Sequence, residues 1–395
     1  MKRTITLIAF AVSCTLAQAA GGTRWEFEHL YSFNPARGDG SVPLAGLVEA
    51  GGAFWGTTSA GGSGRGARGT VFKFVPGTSP VVMHTFRGGD GASPRGELLV
   101  VGRTLYGTVE SGMLENQGGI YRMSTLGSFK VMHKLIEEEG TNPTAGLMRH
   151  WNGNFYGTAV GGGVNYGGLG TVFQMTPAGV VTVLFSDFEG WYAGPKSPLV
   201  QHVDGSLYGT TSTQGPHGGG SVYRITTAGT YELKHSFFFE EGDPLGCMPL
   251  AGLTPIASGN LAGVAPACGG EHGGTVFKVS VGGVVSLAHD MVPGVDGIHP
   301  EGALVLHKDG VLWGTTRFWD TAFSYVGCGS VFALSKANKL GVHHAFAEDG
   351  SEGCEPRGAL LSAKDGAIYG TTSRGGTFDA GTIFRLRRVS IPPGP

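Results

Sequence analysis

One short segment, an apolar residue followed by an aromatic, Gly and Thr, returns along the whole chain and limits what it can fold into. It stands as Phe54-Trp55-Gly56-Thr57-Thr58, Leu105-Tyr106-Gly107-Thr108, Phe155-Tyr156-Gly157-Thr158 and Leu207-Tyr208-Gly209-Thr210. It comes again as Leu312-Trp313-Gly314-Thr315 and Ile368-Tyr369-Gly370-Thr371, and a degenerate copy, Leu261-Ala262-Gly263-Val264, precedes this last pair. From glycine to glycine the steps are 51, 50, 52, 54, 51 and 56 residues. An internal period of that size means a stack or ring of one supersecondary unit.

Each unit has four parts. A short apolar run follows a proline, as in Pro94 to Leu99; the aromatic-Gly-Thr segment comes next. A glycine-rich loop leads into Gly69-Thr70-Val71-Phe72-Lys73 or a relative, and a β-branched run ending His-x-Phe closes the unit, as in Val82 to Phe86. Four short strand-like runs separated by Gly, Pro, Asn and Asp describe one propeller blade, and no window carries apolar residues at helical spacing. The seventh unit stops after its third strand, Thr382 to Leu386, and the missing strand stands at the other end of the chain, Glu28 to Phe33. The reading is all-β: a seven-bladed β-propeller of four-stranded repeats of about 50 residues, its last blade closed by the N-terminal strand so that no sheet edge stays open.

Aromatic-Gly-Thr-Thr, Gly-Gly, Gly-Thr-Val-Phe-Lys and Asp-Gly-x-x-Pro-x-x-Gly-Leu (39 to 47) together resemble the GloVer tandem repeat of secreted bacterial proteins. The resemblance implies an extracytoplasmic, propeller-like array and no defined activity.

Residues 1–19 read as a signal peptide: Lys2 and Arg3, an apolar run from Thr4 to Leu16, then Ala17-Gln18-Ala19. The expected location is secreted, periplasmic or extracellular, with residues 20–395 one propeller domain. Glycine numbers 72, where average usage gives about 28; the aromatics recurring on schedule make these turn residues rather than a sign of disorder. The whole chain has 28 basic and 30 acidic side chains; without Lys2 and Arg3 these become 26 and 30, a net of −4. That balance excludes a nucleic-acid binder acting by phosphate neutralisation, and no segment suits membrane insertion. A monomer without cofactor or metal is expected. Cys247, Cys268, Cys328 and Cys354 all map to loops of one face, which predicts Cys247–Cys268 and Cys328–Cys354 disulfides.

The repeat is its own control, because a residue type recurring at one address serves the blade. His84, His133, His235, His289 and His344 share such an address, as do Lys73, Arg122, Arg224, Lys278 and Arg385, expected to pack on neighbouring aromatic faces. Gly64 to Gly69 satisfies G-x-G-x-x-G but opens no helix, so it cradles no phosphate. Glu137-Glu138-Glu139 and Glu240-Glu241 read as solvated loop residues.

Departures from the repeat are the functional candidates. The residue after each blade's proline is expected to ring the channel mouth: Leu44, Arg95, Thr144, Lys196, Leu250, Glu301 and Arg357, with His299 and Glu355 just before their prolines. Cations gathered at one opening point to an anionic ligand. The expected function is action on an acidic, uronate-containing or sulfated polysaccharide. By fold-level similarity to ulvan-type polysaccharide lyases, this is β-elimination, with Arg or Lys neutralising a carboxylate and His or Tyr acting as acid and base. His217, His272, Tyr166, Tyr325 and Arg357 are the catalytic candidates; Arg95, Lys196, His299, Glu301, Trp191, Tyr192 and Trp319 the substrate-binding ones. A hydrolase built on Glu271 and Asp320 has less support. The alternative is a non-catalytic glycan- or protein-binding surface module.

Overall fold

A computed structural model describes residues 23–391, apart from 165–167, 187, 189–193, 214, 240–242 and 321–326. They form seven four-stranded antiparallel sheets, one for each repeat. In blade one the strands run Val48–Ala50, Ala53–Thr58, Thr70–Phe74 and Val81–Thr85, from the channel outward. Blade seven contains Leu361–Ser362, Ile368–Thr372 and Thr382–Ser390, and Thr23–Ser32 supplies its outer strand. That closing strand begins earlier than the sequence suggests. Trp25 meets Trp313 edge to face with centroids 4.7 Å apart, and Phe27 stacks on His344 at 3.5 Å. The extra residues thus pack against blade six, a contact with a partner some 300 positions away.

The motif residues now have physical roles. Each motif glycine lies under the aromatic ring of the third strand: a Cβ on Gly56, Gly107, Gly157, Gly209, Gly263, Gly314 or Gly370 would stand 2.3 to 2.6 Å from a ring atom. Only glycine lets the two strands and the ring occupy that space. The threonine after it clasps neighbouring blades. Thr108 donates its hydroxyl to the Ala145 carbonyl, Thr158 to Ser197, Thr210 to Ala251 and Thr371 to Ala45, at 2.8 to 3.1 Å. The buried hydroxyls of Thr57 and Thr315 find no hydrogen-bond partner among the described residues.

The residue before the blade's proline is left-handed at Val42, Ser93, Asn142, Met248, His299 and Glu355, with φ between 52° and 60°. For a β-branched residue such as Val42 this is a costly conformation. Two backbone bonds impose it: Val42 donates to Ala380 of the preceding blade and accepts from Ser59 of its own. His299 repeats the arrangement with Gly273 and Arg317. This strain belongs to the architecture.

The histidine address is structural, as the repeat implies. A β-bulge beside it turns the ring toward the crossing loop. There His84 meets Asp90 at 2.8 Å, His133 meets Glu139 at 2.6 Å, His289 meets Asp296 at 2.9 Å and His344 meets Glu352 at 3.0 Å. Glu139 is therefore a partnered residue and not merely a solvated one; Glu240 and Glu241 lie outside the described residues. The cation address also departs from expectation: Arg224 pairs with Asp204 at 3.0 Å and Arg385 with Glu28 at 2.6 Å, so carboxylates hold them where aromatic faces were expected.

Both expected disulfides are present, Cys247–Cys268 and Cys328–Cys354. The crossing loop bridges the glycine-rich loop of its own blade at Cys247 and Ala267, which sets Cys247 beside Cys268. Two disulfides are consistent with an extracellular or periplasmic protein. The segment read as a signal peptide lies outside the described residues.

Candidate functional site

The seven short inner strands converge on the axis, and the chain arrives at each through its proline. Leu44, Arg95, Thr144, Lys196, Leu250, Glu301 and Arg357 all line one cavity of about 160 Å³. These are the seven residues that follow the prolines.

Their charges are arranged unevenly. Arg95 is tied to Glu110, Nε to carboxylate oxygen, at 2.7 Å. On the opposite rim Arg317 joins Glu301 at 3.0 Å to Glu355 at 2.9 Å, and Arg357 also holds Glu355 at 3.0 Å. Arg374 approaches Glu355 from outside at 3.6 Å. Burial favours the neutral acid of Glu355, yet Arg317 and Arg357 outweigh it and keep the carboxyl below the usual carboxylate range. Lys196 is exposed on the same rim and joins no ion pair among the described residues.

Below the rim stands a residue that sequence reasoning missed. Two places after Arg95, Glu97 lines the same cavity. The corresponding residues of the other blades are Gly46, Gly146, Pro198, Gly252, Ala303 and Ala359, so Glu97 is the one ionisable side chain at this level. Its carboxyl reaches across to blade one, where a Cβ on Gly46 would lie 3.2 Å from Oε1. Its side chain is half-buried in the channel wall, and channel water reaches part of its surface. No hydrogen bond or ion pair satisfies it among the described residues. Burial therefore pushes its pKa up to about 7. The signal was in the sequence: a Pro-x-small-small-Leu pattern broken once by a glutamate.

The other candidates are placed differently. His217 stacks on Phe238 with centroids 3.8 Å apart, on the glycine-rich loop of blade four. His272 sits at a left-handed turn of the blade-five loop, with φ 61°. Neither lines the mouth. His299 packs edge-on to Phe318 at 5.9 Å, and burial lowers its pKa. Trp319 packs its Cβ over Gly327, away from the axial cavity. Tyr166, Tyr325, Trp191 and Tyr192 lie outside the described residues. The structure brings together Arg95, Lys196, Glu301 and Arg357 with Glu97, and it does not bring His217 or His272 to them.

A model of the Gloeobacter/Verrucomicrobia repeat matches residues 19–201 and again 194–390. No curated protein matches the chain in sequence. Among solved structures, a provisionally assigned 6-phosphogluconolactonase from Bacteroides uniformis is similar at TM-score 0.52 and 14% identity, covering 83% of this chain and 96% of that one. A second such assignment, from Bacteroides fragilis, is similar at TM-score 0.50 and 15% identity, covering 88% and 98%. At these identities the likeness is one of fold. These neighbours do not show the expected similarity to ulvan-type lyases, and the expectation of a β-elimination polysaccharide lyase is corrected. The neighbours carry lactonase names, and the histidines that elimination needed stand away from the cationic rim.

Proposed function

We propose that this chain, which belongs to the Gloeobacter/Verrucomicrobia repeat family, hydrolyses a small anionic ester or lactone at its channel mouth, with Glu97 as general base. The observation that carries the reading is Glu97 itself: a half-buried carboxyl in the channel wall, with no hydrogen-bond or ion-pair partner among the described residues and its pKa pushed up by burial to about 7. A base is most useful when its pKa lies near the working pH, and strongly shifted groups in clefts mark functional sites. The cavity of about 160 Å³ suits a small molecule rather than a polymer.

In this scheme Lys196, the rim cation without an ion-pair partner among the described residues, takes the anionic group of the substrate, and Arg95 and Arg357 add to the field. The Glu97 carboxylate removes a proton from water while the water oxygen bonds to the acyl carbon. The acyl C–O bond then breaks, and the departing alkoxide takes the proton from Glu97. The acid product and the alcohol leave, and Glu97 is again ionised. The lactonase names of the two neighbours agree with the substrate class but supply only a fold. An extracellular or periplasmic location, entered through the segment 1–19, fits the disulfides.

The test is a pH-stat assay of the purified protein on a panel of anionic sugar lactones and carboxylate esters. Acid release that rises with pH through about 7 and vanishes in Glu97→Gln is the expected result. Release that survives Glu97→Gln unchanged, or no release across the panel, defeats the proposal.

A further inference from the structure

The face away from the mouth carries the turns between first and second strands and between third and fourth strands. Its repeat positions are mostly neutral, so departures stand out. In blades three and four, Trp151 and Val203 lie on the turn glycine of the next blade, Gly205 and Gly259. In blade six that address is Lys308, whose Nζ stands 2.9 Å from where a Cβ of Gly366 would be. The third strand ends at Phe74 in blade one and at Met175 in blade three. In blade seven it runs past the matching Leu386 into Arg387 and Arg388.

These departures meet in one cavity of about 330 Å³, lined by Lys308, Arg385, Arg387 and Arg388, with Asp365 the one carboxylate in its wall. Two of the cations are satisfied. Arg385 holds Glu28 at 2.6 Å, and Arg388 holds Asp309 at 2.5 Å while lying over the Trp25 ring. Arg387 is held more loosely, 3.6 Å from both Glu26 and Glu28, and Lys308 joins no ion pair among the described residues. Asp365 accepts from the Tyr369 hydroxyl at 2.7 Å.

His307, also in the wall, breaks a second pattern. His150 and His202 direct Nε2 at the next blade's turn carbonyl, Gly205 at 3.1 Å and Gly259 at 2.7 Å. His307 instead uses Nδ1 on the Ser362 hydroxyl at 2.8 Å, which leaves Nε2 buried, 4.0 Å from Asp309 and without a hydrogen-bond partner among the described residues.

We propose that this cavity is a second binding site, for a phosphate or sulfate monoester group. Lys308 and the loosely paired Arg387 leave N–H donors for an incoming anion, and a guanidinium fork beside an ammonium is suited to tetrahedral oxygens. The site stands on the face opposite the mouth and does not depend on the chemistry proposed there.

Isothermal titration of the purified protein with sodium phosphate, sodium sulfate and sodium chloride, at one ionic strength and pH 8, tests it. Saturable binding of phosphate, of sulfate or of both, but not of chloride, is expected; which of them binds identifies the ester. Lys308→Ala and Arg387→Ala are each expected to weaken that binding about tenfold through loss of a charge-assisted contact, while Lys196→Ala at the mouth leaves it unchanged. Heats indistinguishable from chloride overturn the proposal. Binding that survives both wall variants and disappears in Lys196→Ala also overturns it, because the anion then sits at the mouth.

Discussion

Glu97→Gln carries a stability prediction that separates it from every other rim variant. In an unfolded chain the Glu97 carboxyl titrates at its ordinary value of 4.5; in the folded channel, burial moves that to about 7. The folded state therefore binds more protons than the unfolded state between those values, and stability falls as pH rises through that interval. At about 1.36 kcal/mol for each pH unit, the loss is about 3 kcal/mol once the carboxyl is ionised in both states. Glutamine keeps the shape and never ionises. Urea unfolding of both proteins at pH 4.5, 6 and 8 measures the difference. With the value at pH 4.5 as reference, Glu97→Gln is expected to gain about 1 to 2 kcal/mol at pH 6 and about 3 kcal/mol at pH 8. A gap that stays constant with pH would refute the reasoning, because it would mean that channel water solvates the carboxylate fully.

Gly157→Ala is expected to cost about 1 to 3 kcal/mol in the same assay, since the added Cβ would stand 2.5 Å from Phe173 Cζ in a filled interior. Thr158→Val should cost about 1 to 2 kcal/mol by breaking the clasp to Ser197, whereas Thr57→Val, whose buried hydroxyl has no hydrogen-bond partner among the described residues, should be neutral or stabilising. Removing Cys328–Cys354 as the double serine variant should cost about 2 to 4 kcal/mol, read as a lower urea midpoint under oxidising conditions only. Burial lowers the pKa of His84, His235, His299, His307, His343 and His344 from 6.5, so their contribution is complete above pH 6.5 and is lost as pH falls below it. Wild-type unfolding midpoints should accordingly fall between pH 6.5 and pH 5, against the opposite trend set by Glu97.

Much of the molecule was legible before any coordinates. The period of about 50 residues, four strand-like runs in each period and the strand at Glu28 to Phe33 specify a closed ring of seven sheets, because blade contacts are local and recur at every turn of the repeat. The same logic placed Arg95, Lys196, Glu301 and Arg357 at the mouth, paired the four cysteines, and assigned His84 and its equivalents to structure. In each case a position within the repeat determines a position in space.

Tertiary structure decided what depends on several blades at once. Arg95 is tied to Glu110, and Arg357 shares Glu355 with Arg317, so the cations that looked alike in sequence differ in availability and Lys196 alone of the three lacks a partner among the described residues. The shift at Glu97 arises from enclosure by strands whose first residues lie about 50 apart in the chain, so no local window contains it. Lys308, Arg387 and Arg388 likewise meet only because blade seven closes the ring. Repetition encodes the scaffold locally; the electrostatics of its openings come from side chains that only the closed ring brings together.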